Sequence, residues 1–401
     1  MSMAGKRRIL FVAEAVTLAH VARAATLAAA LDPACYEICL ACDPRYAPLL
    51  GQLPYPTRAI ASISGQRFFR ALASGSPIYD SSTLEEYVKA DRELMRTWKP
   101  DVVVGDFRLS LGVSARVEGI PYLNITNAYW SPYANLSFPV PDIPLTRIVG
   151  VKLAQHLFNL ARPLAFALHA SALNRVRKSH GLQPLPADLR HTYTEADHVL
   201  YADVPELVNM HKLPANHHFL GHLAWSPKVP LPEWWSTLPD DRPIIYLTLG
   251  SSGQARRLPD ILEALSPLPV TVIAATAGHD LPGPPPPNVR VSDYLPGDLA
   301  SARASLVICN GGSPTSYQSL ASGIPVIGLA GNLDQFLNMR LIEIAGAGSL
   351  LRAASATRQD IQHAVRQGLE SEGMLFNAAR ISVALRGLDA ASVFRSVLDS
   401  I

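Results

Sequence analysis

The sequence has little charge and no excess of either sign. Charged residues make up 17% of the chain, and 35 Lys and Arg stand against 33 Asp and Glu, a formal net of +2. That balance excludes a broad field for gripping nucleic acid or an anionic bilayer and leaves room only for local patches. Cysteine is scarce, at four in 401 residues. A disulfide scaffold is excluded, and a reducing, cytoplasmic setting is expected. Three of the four, Cys35, Cys39 and Cys42, are close in sequence. The run Tyr36–Ala41 between them reads as a strand, however, which turns Cys35 and Cys39 to one face and Cys42 to the other. Metal signatures are missing as well. There is no Asp-x-Asp and no His-Glu-x-x-His, so no metal or other cofactor is expected.

No apolar run is long enough to cross a membrane. The nearest, Ile148–Leu173, is interrupted by Lys152, Gln155, His156, Asn159, Arg162, Pro163 and His169. It reads as an amphipathic helix pair broken at Pro163. Near the start, Ile9–Ala13 follows Lys6, Arg7 and Arg8, but Glu14 ends the apolar run. It is too short for the core of a signal peptide and fits a buried strand.

Hydrophobic residues make up 48% of the 401, enough for two cores. Arg8–Ala13, Tyr36–Ala41, Pro100–Gly105 and Pro121–Ile125 have the character of buried parallel strands, with helices at Ala19–Leu31 and Ser110–Glu118. The pattern restarts at Arg242–Gly250 and continues with strands at Val270–Ala274, Val289–Val291, Leu306–Cys309 and Pro325–Gly328. Alternating strands and helices predict α/β architecture, two tandem Rossmann-like αβα domains. The expected boundaries are 1–226 for the first domain, 227–243 for a Pro- and Trp-rich linker, and 244–385 for the second domain. The last helix, within 386–401, is not placed by pattern. Pro282–Pro287, with five prolines in six positions, reads as a stiff surface loop.

Open α/β sheets bind ligands beyond the carboxyl ends of their strands, so the residues there are the candidates. Leu306–Cys309 runs into Asn310-Gly311-Gly312-Ser313-Pro314-Thr315 and then a helix. Gly311 and Gly312 let the backbone approach a ligand closely, and a helix start favours an anion such as phosphate. A tight turn that merely needs glycine has the same appearance. Gly250-Ser251-Ser252-Gly253 is a second Gly/Ser turn in the same domain. Gly331–Phe336 carries Asp334 and Gln335, which suit sugar hydroxyls, although Asp334 also suits a helix cap. In the first half, His20 follows the first strand and Asp106 follows Val102–Gly105. A histidine backed by a carboxylate is the arrangement of a general base. Each residue alone also fits a helix terminus.

Together these residues resemble the inverting nucleotide-sugar glycosyltransferases of the UDP-glucuronosyltransferase/UDP-glycosyltransferase family, including its plant and antibiotic members. The resemblance spans most of the chain and is most specific over 289–348. It implies a GT-B fold, with two domains facing across a cleft. The segment containing Tyr294 and Leu295 is similar to the part that binds the base, with Tyr294 placed to stack on it. Asn310–Thr315 resembles the family's diphosphate turn, so Asn310, Gly311, Gly312, Ser313 and Thr315 are expected there, with Ser251 and Ser252. Gln318 stands where an acid commonly meets the ribose, and Asp334-Gln335 where a pair holds the sugar. Gly346-Ala-Gly348 matches a Gly-x-Gly that follows. Ala19-His20 resembles the Gly-His of the general base, with Asp106 as its partner.

The sequence departs from the pattern at Asn310, where the family has His, at Gly297, where it has Gln, and at Ala19. The resemblance implies a UDP- or dTDP-sugar donor, metal-independent transfer with inversion, and a small hydroxylated acceptor. The aromatics Phe68, Tyr79, Tyr129 and Trp130 in the inserted segments suit an apolar acceptor, or else simply pack the domain. A UDP-N-acetylhexosamine 2-epimerase and a catalytically silent GT-B subunit are the alternatives on the same fold.

Overall fold

The computed structural model describes residues 6–250 and 255–401. Its strands form two wholly parallel sheets. In the first half these are Arg7–Ala13 (β1), Tyr36–Cys42 (β2), Thr57–Ala59 (β3), Val102–Asp106 (β4), Tyr122–Thr126 (β5), His198–Tyr201 (β6) and His217–Phe219 (β7). The second half supplies Ile244–Thr248 (β8), Thr271–Ala275 (β9), Val289–Ser292 (β10), Leu306–Cys309 (β11), Val326–Ala330 (β12) and Gly348–Arg352 (β13). The strand orders are β3-β2-β1-β4-β5-β6-β7 and β10-β9-β8-β11-β12-β13. Both reverse direction beside their first strand, which puts the crevices next to β1/β4 and β8/β11.

The central strands form for the reason the sequence suggests. Every residue of β4, β5, β8, β9, β11 and β12 is buried, as a strand covered on both faces requires. The sequence pattern does not show β3, β6, β7 or β13. All three residues of β3 are exposed, and β7 begins with two histidines. Edge strands of this kind carry no apolar run to read.

Contacts divide the chain into two units that differ from the expected boundaries. One unit runs to Leu136 and adds Gln155–Leu223 and Leu388–Ile401; the other comprises Ser137–Ala154 and Ala224–Gly387. Residues 137–154 are held in the second unit by Asp142, whose carboxylate pairs with Arg352 at 2.8 Å and whose N–H donates to the Gly331 carbonyl at 3.1 Å. The 227–243 segment also belongs to this unit, where Trp234 Nε1 donates to the Val291 carbonyl at 3.3 Å. The last helix, Ala390–Asp399, returns to the first unit. Its Phe394 is fully buried against Phe11 of β1, with ring centroids 5.9 Å apart, and Arg7 donates to the Leu398 carbonyl.

The stretch expected to be two helices broken at Pro163 is a helix pair within Pro144–Ser179, but its break is at Gly150, with φ 74° and ψ 161°, and the helix runs on through Pro163. Gly150 reaches that region without the Cβ penalty any other residue would meet. Pro163 and Asn159 are both exposed, so water can satisfy the carbonyl that proline leaves unpaired. No helix of the described residues is long and apolar enough to cross a membrane.

Two expectations follow for stability. Phe394→Ala should cost the first unit about 3–5 kcal/mol, read as an earlier urea transition. The first unit also buries His217 and His222 uncharged. Burial, with His218 beside it, holds His217 at about 4, and burial holds His222 at about 4. Both values lie below the unfolded reference of about 6.5, so the unfolded chain binds the extra protons. Stability should be full above about pH 6.5 and fall towards pH 4, by about 1.4 kcal/mol per pH unit for each histidine. Replacing both with Asn should flatten that part of a melting-temperature profile.

Candidate active site

In the first unit, β1 and β4 are in register so that Ala13 lies beside Asp106. Helix Leu18–Ala29 starts just after β1 and carries His20 in its first turn. His20 Nδ1 and Asp106 Oδ1 are 2.7 Å apart. Asp106 is fully buried, and the His20 side chain is 18% exposed. A neutral imidazole bonded to a carboxylate through Nδ1 carries its proton there and leaves Nε2 as the acceptor.

The carboxylate has a second partner, Arg23, one helical turn after His20. Arg23 Nε donates to Asp106 Oδ2 at 2.9 Å and Nη2 to Oδ1 at 2.7 Å. Its Nη1 donates to Asn127 Oδ1 at 2.7 Å, and Asn127 Nδ2 donates to both oxygens of Asp203 at 3.2 Å. Burial works against the Arg23 charge, but Asp106 outweighs it and raises Arg23 above its ordinary value. The arrangement is therefore a relay, Asp203–Asn127–Arg23–Asp106–His20. Both oxygens of the buried Asp106 side chain are thus matched by donors.

Phe107 and Arg108 lock the turn after β4. Phe107 has φ 56°, which is strained for a bulky residue and persists only where the surroundings hold it. Its ring stacks on His20 at 4.7 Å with a 10° interplanar angle. Arg108 is buried and pairs with Glu14 at 2.8 Å and Asp91 at 3.0 Å. Tyr87 donates to Glu14 at 2.9 Å and also lies under the guanidinium, 3.6 Å from ring centroid to Cζ. Burial pushes the Glu14 carboxyl above its ordinary value, against the pull of Arg108.

Aromatics surround the stacked pair. Phe107 lies 6.0 Å from Phe68, 6.4 Å from Tyr79 and 5.5 Å from Tyr193, with Trp130 5.1 Å beyond Tyr193. Of the four expected acceptor aromatics, Phe68, Tyr79 and Trp130 thus gather near His20. Tyr129 is fully buried, and Phe68 and Tyr79 are buried too, in a core cluster they share with Leu173 and Val176.

In the second unit, β11 ends at Cys309, opposite Thr248 of β8. Gly311 follows at φ 83°, and helix Ser313–Ala321 begins with Gly312 as a cap that has no side chain to bond the first turn. Asn310 turns inward: its Nδ2 donates to the Leu249 carbonyl at 2.9 Å and its Oδ1 accepts from Gly312 N–H at 3.0 Å. It ties the turn after β11 to the turn after β8. Asn338 adds a bond from its Nδ2 to the Gly311 carbonyl at 2.8 Å. The result is a stiffened helix start with Ser313 buried and Thr315 half-buried.

Gln318 explains two departures at once. Its Nε2 donates to the Trp225 carbonyl and to Ser226 Oγ, which a carboxylate could not do. A Cβ on Gly297 would lie 2.5 Å from Gln318 Oε1, so a larger residue at 297 would displace it. Tyr294 is half-buried, with its hydroxyl 3.3 Å from the Ala277 carbonyl, and Leu295 is buried. Gln335 is also buried: its Oε1 accepts from Gly331 N–H at 2.9 Å, in a capping box with Asn332. The cap of that helix is Asn332, not Asp334, which is half-buried in the first turn. Ser251 and Ser252 lie outside the described residues.

Sequence reasoning missed Arg23, Asn127, Asp203, Phe107 and Tyr193. Arg23 had a signal, since a residue three places after His20 shares its helix face. Among the described residues, no three His, Cys, Asp or Glu side chains form a group that could hold a metal ion.

Known proteins are similar to this chain along most of its length. Residues 260–385 match the family model "Erythromycin biosynthesis protein CIII-like, C-terminal domain". The chain is 52% identical over 382 residues to a PGL/p-HBAD biosynthesis glycosyltransferase of Mycobacterium tuberculosis, covering 95% of this chain and 89% of the relative. It is 53% identical over 379 residues to a PGL/p-HBAD biosynthesis rhamnosyltransferase of Mycobacterium bovis, covering 94% and 84%. Among solved structures, the spinosyn forosaminyltransferase SpnP superposes with a TM-score of 0.72 at 17% identity, covering 99% of both chains.

The Arg23 clamp has a two-part signature. Arg23→Gln leaves buried Asp106 short of its cation, so stability should fall by about 3–5 kcal/mol in urea denaturation. Loss of the clamp also frees Asp106, and with it the His20 ring, to move. In the surviving enzyme kcat should fall by at least about tenfold while donor KM stays unchanged. An unchanged kcat would mean that Arg23 is only structural.

Proposed function

Because the chain belongs to the GT-B nucleotide-sugar glycosyltransferases of the UDP-glycosyltransferase family and is itself a glycosyltransferase, we propose the following reaction. A hexose passes from a UDP- or dTDP-sugar to a hydroxyl of a small apolar acceptor, with inversion and without a metal. His20 Nε2 takes the acceptor's proton as its oxygen attacks the anomeric carbon. The bond from that carbon to the diphosphate oxygen breaks, and the nucleoside diphosphate leaves with the electron pair. Asp106 holds the imidazole through Nδ1 and offsets its charge. Arg23 holds Asp106 in place through both of its oxygens. The start of helix Ser313–Ala321 offsets the charge gathering on the leaving diphosphate.

The observation that carries this assignment is the 2.7 Å bond between His20 and Asp106 at the crevice of the first sheet. Phe68, Tyr79 and Trp130 around Phe107 support an apolar acceptor. Tyr294, Asn310–Thr315, Gln318 and Asp334 are assigned to the donor. Asn310, Gln318 and Gln335 act by shaping the turns around it. The rhamnosyltransferase relative makes rhamnose the first sugar to test, and the named role of both relatives supports a place in PGL/p-HBAD biosynthesis. A cytoplasmic location, where nucleotide sugars are available, completes the reading.

General-base help is worth about 10²–10⁴-fold. His20→Ala should therefore lose about that much kcat with an aliphatic alcohol and less with an acidic phenol, while donor still stabilises the protein in a thermal shift. Full activity of the variant on the alcohol would remove His20 from the mechanism.

A further inference from the structure

In the first unit, the helical stretch 155–179 contains no acidic residue; its basic residues are Arg162, Arg175, Arg177 and Lys178, of which Arg177 is buried and pairs with Glu195. Along it, Leu157, Leu160, Leu164 and Leu168 are 39%, 81%, 66% and 54% exposed. At about 100° per residue these four fall within an arc of about 80°. Single exposed leucines are ordinary, but a continuous row marks an interaction surface.

The other side of the helix is already used. Phe166, Ala170, Leu173 and Val176 are buried, the last two in the same core cluster as Phe68 and Tyr79. His169 Nε2 lies 3.2 Å from the Gly75 carbonyl. The leucine row therefore faces away from the fold because the opposite face is anchored to it.

The row ends at a pocket of about 580 Å³, whose lining includes Leu168, Arg67, Arg70, Arg175 and Tyr79. Arg67 pairs with Asp80 at 3.0 Å, whereas Arg175 bonds the hydroxyls of Ser81 and Ser171, which leave its charge uncompensated. Tyr79 has a buried hydroxyl with no hydrogen-bond partner among the described residues. Its ring packs against Phe107, which stacks on His20.

We propose that this face docks on an anionic lipid bilayer. The leucine row enters the boundary between headgroups and acyl chains, and Arg70, Arg175 and Lys178 meet the lipid phosphates. Charge complementarity selects this occupant. A second copy of the chain would bring one acid-free basic helix against another, and like charges oppose that contact. A net charge near zero is no obstacle, because a local basic patch acts over about one Debye length whatever the overall balance. The inference does not rest on the transferase reading, since vesicle binding is measured without turnover. It adds to that reading a surface from which an apolar acceptor reaches the aromatics around His20.

The test is sedimentation of the full chain with sucrose-loaded vesicles. Pure phosphatidylcholine is compared with phosphatidylcholine containing about 30% phosphatidylglycerol, the anionic component supplying the surface charge. The chain should partition onto the anionic vesicles only, and less so as salt rises. Leu160→Ser with Leu164→Ser and Leu168→Ser should cut the partition coefficient by at least about tenfold. Arg70→Gln with Arg175→Gln should cut it severalfold on anionic vesicles. The melting temperature of each variant verifies its fold, and the exposed leucines leave it unchanged. Failure to bind anionic vesicles, or equal binding by the leucine variant, overturns the proposal. So does light scattering that shows a wild-type dimer which the leucine variant splits into monomers.

Discussion

The site depends on one buried charge. Asp106 ends a fully buried strand and has no water to stabilise it. A carboxylate there is stable only if its oxygens are matched by donors. His20 and Arg23 supply them from a single helix face, and Asn127 and Asp203 hold Arg23 in turn. The helix after β1, the turn after β4 and the turn after β5 are therefore fixed relative to one another by electrostatics rather than by packing alone. The neighbouring Glu14–Arg108–Asp91 group does the same one layer deeper. Orienting a histidine to the tolerance that proton transfer demands needs such a supporting shell.

The second unit solves a different problem with neutral groups. Its helix start is shaped by amides bonded to backbone: Asn310 to Leu249 and Gly312, Asn338 to Gly311, and Gln335 to Gly331. Where relatives of this type are expected to carry a charged or acidic side chain, this chain has an amide that ties one turn to another. The anion-attracting field then comes mainly from peptide dipoles, which do not change with pH.

Much of this was legible in the sequence where cause and effect are local. Continuous apolar runs mark the central strands, and His20, Asp106 and Asn310 are found because each follows such a run. Edge strands such as β3 and β7 have no run to read. Arg23 and Phe107 were missed because their importance lies in side chains distant in sequence. Pro163 misled because its effect depends on whether water reaches the freed carbonyl, whereas Gly150 breaks the helix through its own φ. The grouping of 137–154 and of the last helix is invisible locally, because it rests on Asp142 meeting Arg352 and on Phe394 meeting Phe11.

That grouping bears on how the protein was assembled and how it can be recombined. The backbone passes between the two units four times, after Leu136, Ala154, Leu223 and Gly387. A chimaera made by a single cut at the Pro- and Trp-rich segment would pair a foreign strap with the native Arg352, and the native tail with a foreign residue in place of Phe11. Exchange of donor specificity between relatives therefore calls for a mosaic gene, in which the short strap travels with the half downstream and the terminal helix stays with the half upstream.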